Sequence, residues 1–165
     1  MPIEVEIITQ ERVLFQGEAD MVILPGSEGE MGILPRHAPL LSTLGYGALR
    51  LKTAGSEQFF TIYGGVVEIQ PFRVTVLADV AERSEDIDIE RAQAARDRAA
   101  RMLHEGAPAD PGQAAALEAA LKRAEIRLKV ASHRRGPPRP GAGSIRPQGE
   151  AGSPSAKAVT RARRP

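Results

Sequence analysis

The sequence predicts a protein of class β plus α, with an N-terminal all-β sandwich followed by a C-terminal antiparallel α-helical hairpin and a disordered basic tail. Three changes of pattern along the chain indicate this division. Apolar residues alternate with a period of two over residues 1–84 and recur every three or four positions over residues 85–133. Proline, glycine and arginine dominate residues 134–165. We therefore predict two folded domains and one tail with these boundaries.

The first domain shows the pattern of short β-strands. Residues 3–7, 48–52 and 72–76 alternate between apolar and polar side chains, and glycine- and proline-containing turns separate such stretches. Many short strands at regular spacing are typical of a sandwich or a barrel, and we predict a sandwich. Aromatic residues make up only 4% of the chain, so its core is expected to consist of Ile, Val and Leu.

Two apolar stripes predict the pair of helices. One stripe consists of Ala92, Ala95, Ala99, Met102 and Leu103, and the other of Leu117, Leu121, Ala124, Leu128 and Ala131. A breaker at residues 104–111 separates them, with Asp110 as the N-cap of the second helix and Pro111 at its first position. Because alanine buries little apolar area, the hairpin is expected to be only marginally stable alone and able to leave its docking site.

The tail is strongly basic, in contrast to the rest of the chain. Residues 134–165 carry eight basic and one acidic side chain, a charge of +7, while the remaining residues carry 14 basic and 20 acidic side chains, a charge of −6. Two aliphatic residues larger than alanine cannot offset an ordering cost of about 1–2 kcal/mol per residue, so we expect disorder. The acidic body argues against nucleic-acid binding by the folded part, and any affinity for polyanions would belong to the tail.

The residues that the chain lacks argue against catalysis. There is no cysteine and there are three histidines, which leaves little for a metal site, a disulfide or a thiol nucleophile. The sequence contains no nucleotide-binding glycine motif and no hydrolase motif. No apolar run approaches the roughly 20 residues of a membrane span, and the N-terminus resembles no signal or transit peptide. We predict a non-catalytic protein that stays in the compartment where it is made.

Two features between the strands invite a functional interpretation. The glycine-rich loop at residues 26–32 contains Glu28 and Glu30, and because a phosphate site needs amide donors and positive charge, these carboxylates favour a flexible turn over a phosphate cradle. His37 has no nucleophile or acidic partner nearby in the sequence. A structural or interface role is therefore favoured over that of a general base.

Three segments together resemble a known family. They are LPGSEGEMGILPRHAPLL at residues 24–41, GGVVEIQPFRVTVLAD at residues 64–79 and IDIERA at residues 87–92. Their order, with a change from strand to helix pattern between the second and third, is similar to the epsilon subunit of F-type ATP synthases, the counterpart of the mitochondrial delta subunit. The resemblance covers residues 3 to about 133. The chain departs from it at Arg36, where the family usually has glycine, and in the basic tail.

The resemblance implies a non-catalytic rotor subunit that links the gamma subunit to the ring of c subunits during rotary ATP synthesis coupled to ion transport. Glu28 and Glu30 fall in the loop that the family directs toward the c ring, where acidic side chains suit basic partners. His37 falls on the part that faces gamma. The hairpin in the family either folds onto the sandwich or extends toward the alpha and beta subunits and blocks ATP hydrolysis. A peripheral location on the cytoplasmic face of the bacterial plasma membrane follows from the same resemblance.

The resemblance also implies an optional ligand, regulatory ATP, although no cofactor is required. Some bacterial members bind ATP on the folded hairpin through a motif that corresponds here to Ile87, Asp88, Arg91 and Ala92, with Glu82, Arg98, Arg123 and Arg127 as companions. Arg91 and Arg98 lie seven positions apart and Arg123 and Arg127 four apart, so each pair shares one helix face. The alternative is that Asp88 and Arg91 form an ordinary surface ion pair.

Two other classes of function remain as alternatives. A free-standing β-sandwich adaptor could use the basic tail to bind nucleic acid or anionic lipid, although the acidic body and the scarcity of aromatic residues argue against it. A hydrolytic enzyme is less favoured still, because no nucleophile can be paired with a base.

Overall fold

A computed structural model of the chain describes residues 1–106 and 108–133. The predicted tail, residues 134–165, lies outside the described residues. The strands are β1 (Ile3–Ile8), β2 (Val13–Ala19), β3 (Met21–Gly26), β4 (Gly29–Ile33), β5 (Leu40–Thr43), β6 (Tyr46–Thr53), β7 (Ser56–Tyr63), β8 (Gly65–Gln70), β9 (Arg73–Ala78) and β10 (Ala81–Arg83). A 3-10 turn at Ser84–Asp86 leads into helices α1 (Ile89–Glu105) and α2 (Pro111–Ala131).

The strands form two five-stranded sheets that face each other, which confirms the predicted sandwich. The first sheet has the order β2-β1-β9-β8-β5 and the second the order β10-β7-β6-β3-β4. All pairs are antiparallel except β1 and β9, which run parallel. The β3–β4 hairpin is tighter than the predicted loop, because Gly26 already pairs with Gly29 and Glu30 pairs with Pro25. Glu30 therefore lies on a strand rather than in a loop.

Alternating side chains from both sheets fill the core between them. In β1, Ile3, Val5 and Ile7 are at most 1% exposed, while the residues between them face outward or are half-buried. The core consists mainly of Ile, Val and Leu, as its composition predicts, and one edge-to-face contact between Phe15 and Phe60 adds aromatic packing.

The helices pack on each other, and α2 makes the main contact with the sandwich. A second apolar cluster of Phe59, Ile87, Val130 and Ala131 joins α2 to the outer face of β7. The helix termini agree with the sequence at α2, where the Asp110 side chain accepts a hydrogen bond from the Gln113 backbone N–H and Pro111 is the first residue. The hairpin is therefore docked on the second sheet.

The first predicted stripe is only partly buried. Ala92 and Ala99 are 3% and 4% exposed, whereas Met102 is 48% exposed and Leu103 is half-buried. Ala92, Ala99 and Met102 all line a cleft between α1 and α2. The seam between the helices is thus open along part of its length.

Arg36 occupies a backbone conformation that suits glycine better. Its φ is 68°, and among the described residues it is the one non-glycine residue with positive φ. Its backbone N–H donates to the Pro71 carbonyl at 2.6 Å, which ties the β4–β5 connection to the β8–β9 turn. A side chain in the left-handed region costs about 1–2 kcal/mol, because Cβ approaches the following carbonyl oxygen.

The substitution Arg36→Gly is expected to raise the free energy of unfolding by about 0.5–1 kcal/mol. Relief of the left-handed strain exceeds the extra freedom that glycine gives the unfolded chain, about 0.5–1 kcal/mol. Urea denaturation of the full chain measures the change. Arg36→Ala keeps Cβ and should not stabilise the protein, so an equal gain in both variants would contradict this explanation.

Candidate functional site

A cleft of about 540 Å³ lies between the two helices and the edge of the sandwich. Seven of the eight residues predicted to bind nucleotide line it: Glu82, Ile87, Asp88, Arg91, Ala92, Arg98 and Arg127. They come from β10, from the connection to α1 and from both helices. The fold therefore gathers residues that are up to 45 positions apart into one concave site.

Small apolar side chains form part of the cleft wall, and its six charged side chains, three acidic and three basic, come from β10, the connection before α1 and both helices. Ala95 and Ala99 of α1 and Leu117 and Ala120 of α2 form the apolar part. Alanine side chains leave room between two packed helices, which is the physical reason why this seam holds a cleft rather than a closed core. An elongated ligand with an apolar ring system and an anionic end suits such a lining.

Arg91 and Arg98 supply positive charge on one face of α1. Both side chains are exposed, and within residues 1–106 and 108–133 neither forms an ion pair. A spacing of seven residues corresponds to two helical turns, so both face the cleft. Their N–H donors remain available for an anion.

Asp88 has a clear local role at the start of α1. Its side chain accepts a hydrogen bond from the Arg91 backbone N–H at 3.0 Å and caps the helix. The alternative of an Asp88–Arg91 side-chain ion pair is wrong in the described structure, because the carboxylate binds the backbone of Arg91 instead. Helix α1 consequently begins at Ile89, two residues later than the motif.

Two further motif residues are buried. Ile87 is 4% exposed and belongs to the cluster that joins α2 to β7, and Ala92 is 3% exposed. Each of them packs between elements as well as lining the cleft.

Arg127 and Glu82 form a tight ion pair at the base of the cleft. The Arg127 Nε and Nη2 groups donate to the two carboxylate oxygens of Glu82 at 2.6 Å and 3.0 Å. Both side chains are about one third exposed. The hydrogen bond that Arg127 donates to Glu82 raises the pKa of Arg127 above its ordinary value despite partial burial. This bidentate pair connects α2 to β10.

Arg123, the eighth predicted residue, is placed differently. Its side chain is not among those that line the cleft. Its backbone carbonyl accepts a hydrogen bond from the Tyr63 hydroxyl at 3.1 Å. The position one turn before Arg127 therefore faces the sandwich, and the two arginines do not converge on one point in this structure.

Tyr63 and Tyr46 form the surface on which this part of α2 rests. Their rings meet edge to face at 5.7 Å between centroids. The Lys122 amino group and the Arg127 guanidinium lie 5.9 Å and 5.7 Å from the Tyr46 and Tyr63 ring centroids respectively. Burial raises the pKa of Tyr63 to about 12, against smaller opposing effects of Thr61 and Arg127. The phenol therefore stays protonated in the neutral pH range and keeps donating to Arg123.

The remaining predicted contacts lie far from the cleft in sequence. Glu28 is exposed in the two-residue turn between β3 and β4, and Glu30 forms a 3.1 Å ion pair with Arg50. His37 is half-buried in the connection to β5, where its Nδ1 donates to the Ala38 carbonyl at 2.7 Å. None of these three residues lines the cleft.

A row of exposed or half-buried apolar side chains crosses the outer face of the first sheet. Cross-strand pairing aligns Val66 with Leu77 and Leu77 with Ile8, and Ile8 pairs in turn with Val13. Val66, Leu77 and Val13 are 37%, 48% and 52% exposed. We call these four residues the apolar row. The sequence offered a signal for it that was missed, namely apolar residues at the positions of alternating strands where polar ones are expected.

Metal sites and membrane-spanning helices were also considered in the part of the chain that the structure describes. Residues 1–106 and 108–133 contain no group of three metal-ligating side chains. Among the same residues, no helix is both long enough and apolar enough to cross a bilayer.

Comparisons with known proteins match the two-part architecture. The family described as "ATP synthase, Delta/Epsilon chain, beta-sandwich domain" matches residues 2–84, and "ATP synthase, Delta/Epsilon chain, long alpha-helix domain" matches residues 85–132. The "ATP synthase epsilon chain" of Dehalococcoides mccartyi is 49% identical over 137 residues, which are 81% of this chain and 94% of the relative. The protein of the same name from Herpetosiphon aurantiacus is 46% identical over 135 residues, 82% of this chain and 98% of the relative.

The solved structures agree with these matches. A chain in the cryo-EM structure of the Euglena gracilis mitochondrial ATP synthase, described as OSCP/F1/c-ring in rotational state 1, superimposes with a TM-score of 0.68 and 25% identity over 80% of this chain and 82% of that one. A chain from the central stalk and c ring of the Tetrahymena thermophila mitochondrial ATP synthase shares the fold, with a TM-score of 0.52 and 13% identity over 79% of this chain and 97% of that one.

Proposed function

The chain belongs to the delta/epsilon family of ATP synthase subunits and is a non-catalytic part of the central stalk of an F-type ATP synthase. We propose that it joins the gamma subunit to the c ring and that its helical hairpin regulates ATP hydrolysis. ATP synthesis and ion transport are activities of the whole complex. The alternative of a free-standing adaptor is not needed to explain any described feature.

The apolar row is the observation that supports a gamma contact. It leaves Val66, Leu77 and Val13 in water although the sandwich core behind them is complete, and an exposed apolar patch of this kind marks an interface. A hollow of about 310 Å³ beside Leu77 and Val66 offers room for a partner side chain. His37 lies at the other end of the same sheet, where the neighbouring Arg36 N–H binds the Pro71 carbonyl of the β8–β9 turn, and on the resemblance alone we propose it as a peripheral contact to gamma.

Replacing Leu77 by glutamate is expected to weaken co-purification with gamma at least about 100-fold. An unpaired carboxylate in an apolar interface costs several kcal/mol, while on a free surface the same change leaves the fold nearly unaffected. Quantitative pull-down of gamma with the full chain measures the effect. Ile89→Glu is the matched control, because Ile89 is 40% exposed on α1 and gains the same charge. Equal retention of gamma by the two variants would refute the apolar row as the interface.

The acidic end of the β3–β4 hairpin supports the proposed contact to the c ring. Glu28 is exposed at the turn and has no ion-pair partner among the described side chains, so its charge is available. Glu30 is held by Arg50 and is the weaker candidate. Basic side chains on the partner would complement this end.

The cleft between the helices is the observation that supports nucleotide control. Its lining is apolar in part and carries Arg91, Arg98 and Arg127, whose N–H groups suit a triphosphate. It also contains three carboxylates, of which Glu82 is paired with Arg127 and Asp88 caps α1, while Asp86 is the third. ATP bound there touches both helices and β10, so it stabilises the docked hairpin. A docked hairpin cannot reach the alpha and beta subunits, and ATP therefore opposes inhibition in this scheme.

The proposed location is the cytoplasmic face of the bacterial plasma membrane. Membership of the stalk associates the chain with a membrane-bound complex, and the curated relatives named above come from bacteria. Proteolysis of inverted membrane vesicles, which expose this face, should remove the chain, whereas sealed right-side-out vesicles should protect it.

A further inference from the structure

The Arg127 side chain contacts both the nucleotide cleft and the sandwich. Its side chain lines the nucleotide cleft, and its guanidinium carbon lies 5.7 Å from the centroid of the Tyr63 ring on β7. Two of its five N–H donors bind Glu82, which leaves three for a ligand. The arginine that faces the cleft is therefore held from the sandwich side.

Tyr63 is fixed from several directions. It is 3% exposed, its hydroxyl donates to the Arg123 carbonyl one turn before Arg127, and its ring edge meets Tyr46. The hydroxyl adds one hydrogen bond to the docking of α2, while the ring supports the guanidinium. A rigid aromatic beneath an arginine restricts its rotamers and orients the edge that remains free.

We propose that Tyr63 is a positioning residue of the nucleotide cleft and acts through Arg127. The ring holds the guanidinium so that its remaining donors point at the phosphates, although Tyr63 itself is not among the residues that line the cleft. This inference rests on the proposed binding of ATP. It adds that the affinity of the hairpin for ATP depends on a residue of the sandwich.

A consequence is that docking and nucleotide binding are coupled through one side chain. When the hairpin leaves the sandwich, Arg127 loses both Glu82 and the Tyr63 ring, and the cleft loses one of its oriented arginines. By thermodynamic reciprocity, a ligand that needs Arg127 in this orientation favours the docked hairpin by the same factor.

The test is calorimetric titration of the full chain with ATP in three variants. Tyr63→Leu removes the ring and should raise the dissociation constant about tenfold, the size of a partly desolvated cation–π contact. Tyr63→Phe keeps the ring and should remain within about threefold of the parent protein. Phe72→Leu removes a ring of the same sandwich that is 42% exposed in the β8–β9 turn and does not line the cleft, and this variant should bind ATP like the parent.

The outcomes separate this inference from the proposed function. If the parent shows no ATP binding, both the proposed nucleotide function and the positioning role of Tyr63 are wrong. If the parent binds and Tyr63→Leu binds equally well, or if Tyr63→Phe loses as much as Tyr63→Leu, the positioning role alone is overturned.

A measurement without nucleotide distinguishes a loss of positioning from misfolding of a variant. The Arg127 Nε–Hε resonance should show a ring-current shift in the parent and in Tyr63→Phe and should lose it in Tyr63→Leu. An unchanged resonance in all three proteins would overturn the proposal.

Discussion

Replacing Arg91 and Arg98 together by alanine is expected to raise the dissociation constant for ATP at least about 100-fold. Both side chains line the cleft, and each charge-assisted hydrogen bond to phosphate contributes about 1.5–3 kcal/mol. At an ATP concentration 100 times the parent dissociation constant, the stabilisation of the docked hairpin should fall from about 2.7 to about 0.4 kcal/mol. Calorimetric titration and the ATP-dependent shift of the melting temperature measure the two quantities.

The same helix offers a matched control. Arg101 is exposed and Arg96 is half-buried in an ion pair with Asp97, and neither lines the cleft, so Arg96→Ala with Arg101→Ala removes the same charge from the same helix. This control should bind ATP like the parent. Equal weakening in both double variants would mean that only net charge matters, and the cleft would then not be the site. Arg127 is left intact because its pair with Glu82 also holds α2 on the sandwich.

The sequence predicted those parts of the fold that depend on local pattern. Alternation identified the buried side of β1, because successive residues of a strand point to opposite faces. Asp110 and Pro111 marked the start of α2, because an N-cap and an N-terminal proline act within one turn. The resemblance supplied seven residues that the structure brings to one cleft.

Features that depend on contacts between distant elements were not predictable in this way. The stripe predicted for α2 included Ala131 but omitted Ile126 and Val130, which pack with it against Phe59 on the sandwich. Arg123 and Arg127 share a helix face in the sequence, but the Tyr63 hydroxyl binds the backbone at Arg123 while the Arg127 side chain lines the cleft. Periodicity identifies which residues share a face and does not reveal which partner covers it.

Ending the chain after residue 84 is expected to raise ATP hydrolysis by the assembled complex. In the proposed scheme, the extended hairpin inhibits ATP hydrolysis by reaching the alpha and beta subunits. A chain without residues 85–133 has no hairpin and cannot inhibit in this way. If half of the complexes hold an extended hairpin, hydrolysis should rise at least about twofold. A chain that ends after residue 133 is the control and should behave like the full chain, because it retains both helices.

The double variant with Arg91→Ala and Arg98→Ala tests in which direction ATP binding to the cleft changes the rate of hydrolysis. Undocking α2 exposes Val130 and Ile87, and burial of each such side chain is worth roughly 1.5–3 kcal/mol, so the 2.7 kcal/mol that ATP supplies is comparable with the cost of undocking. Complexes with Arg91→Ala and Arg98→Ala should therefore hold the extended hairpin longer and hydrolyse ATP more slowly than the parent at the same ATP concentration. Truncation after residue 84 should abolish that difference, since the site and the inhibitor are removed together. Hydrolysis that is unchanged by the truncation would show that the hairpin is only structural, whatever it binds.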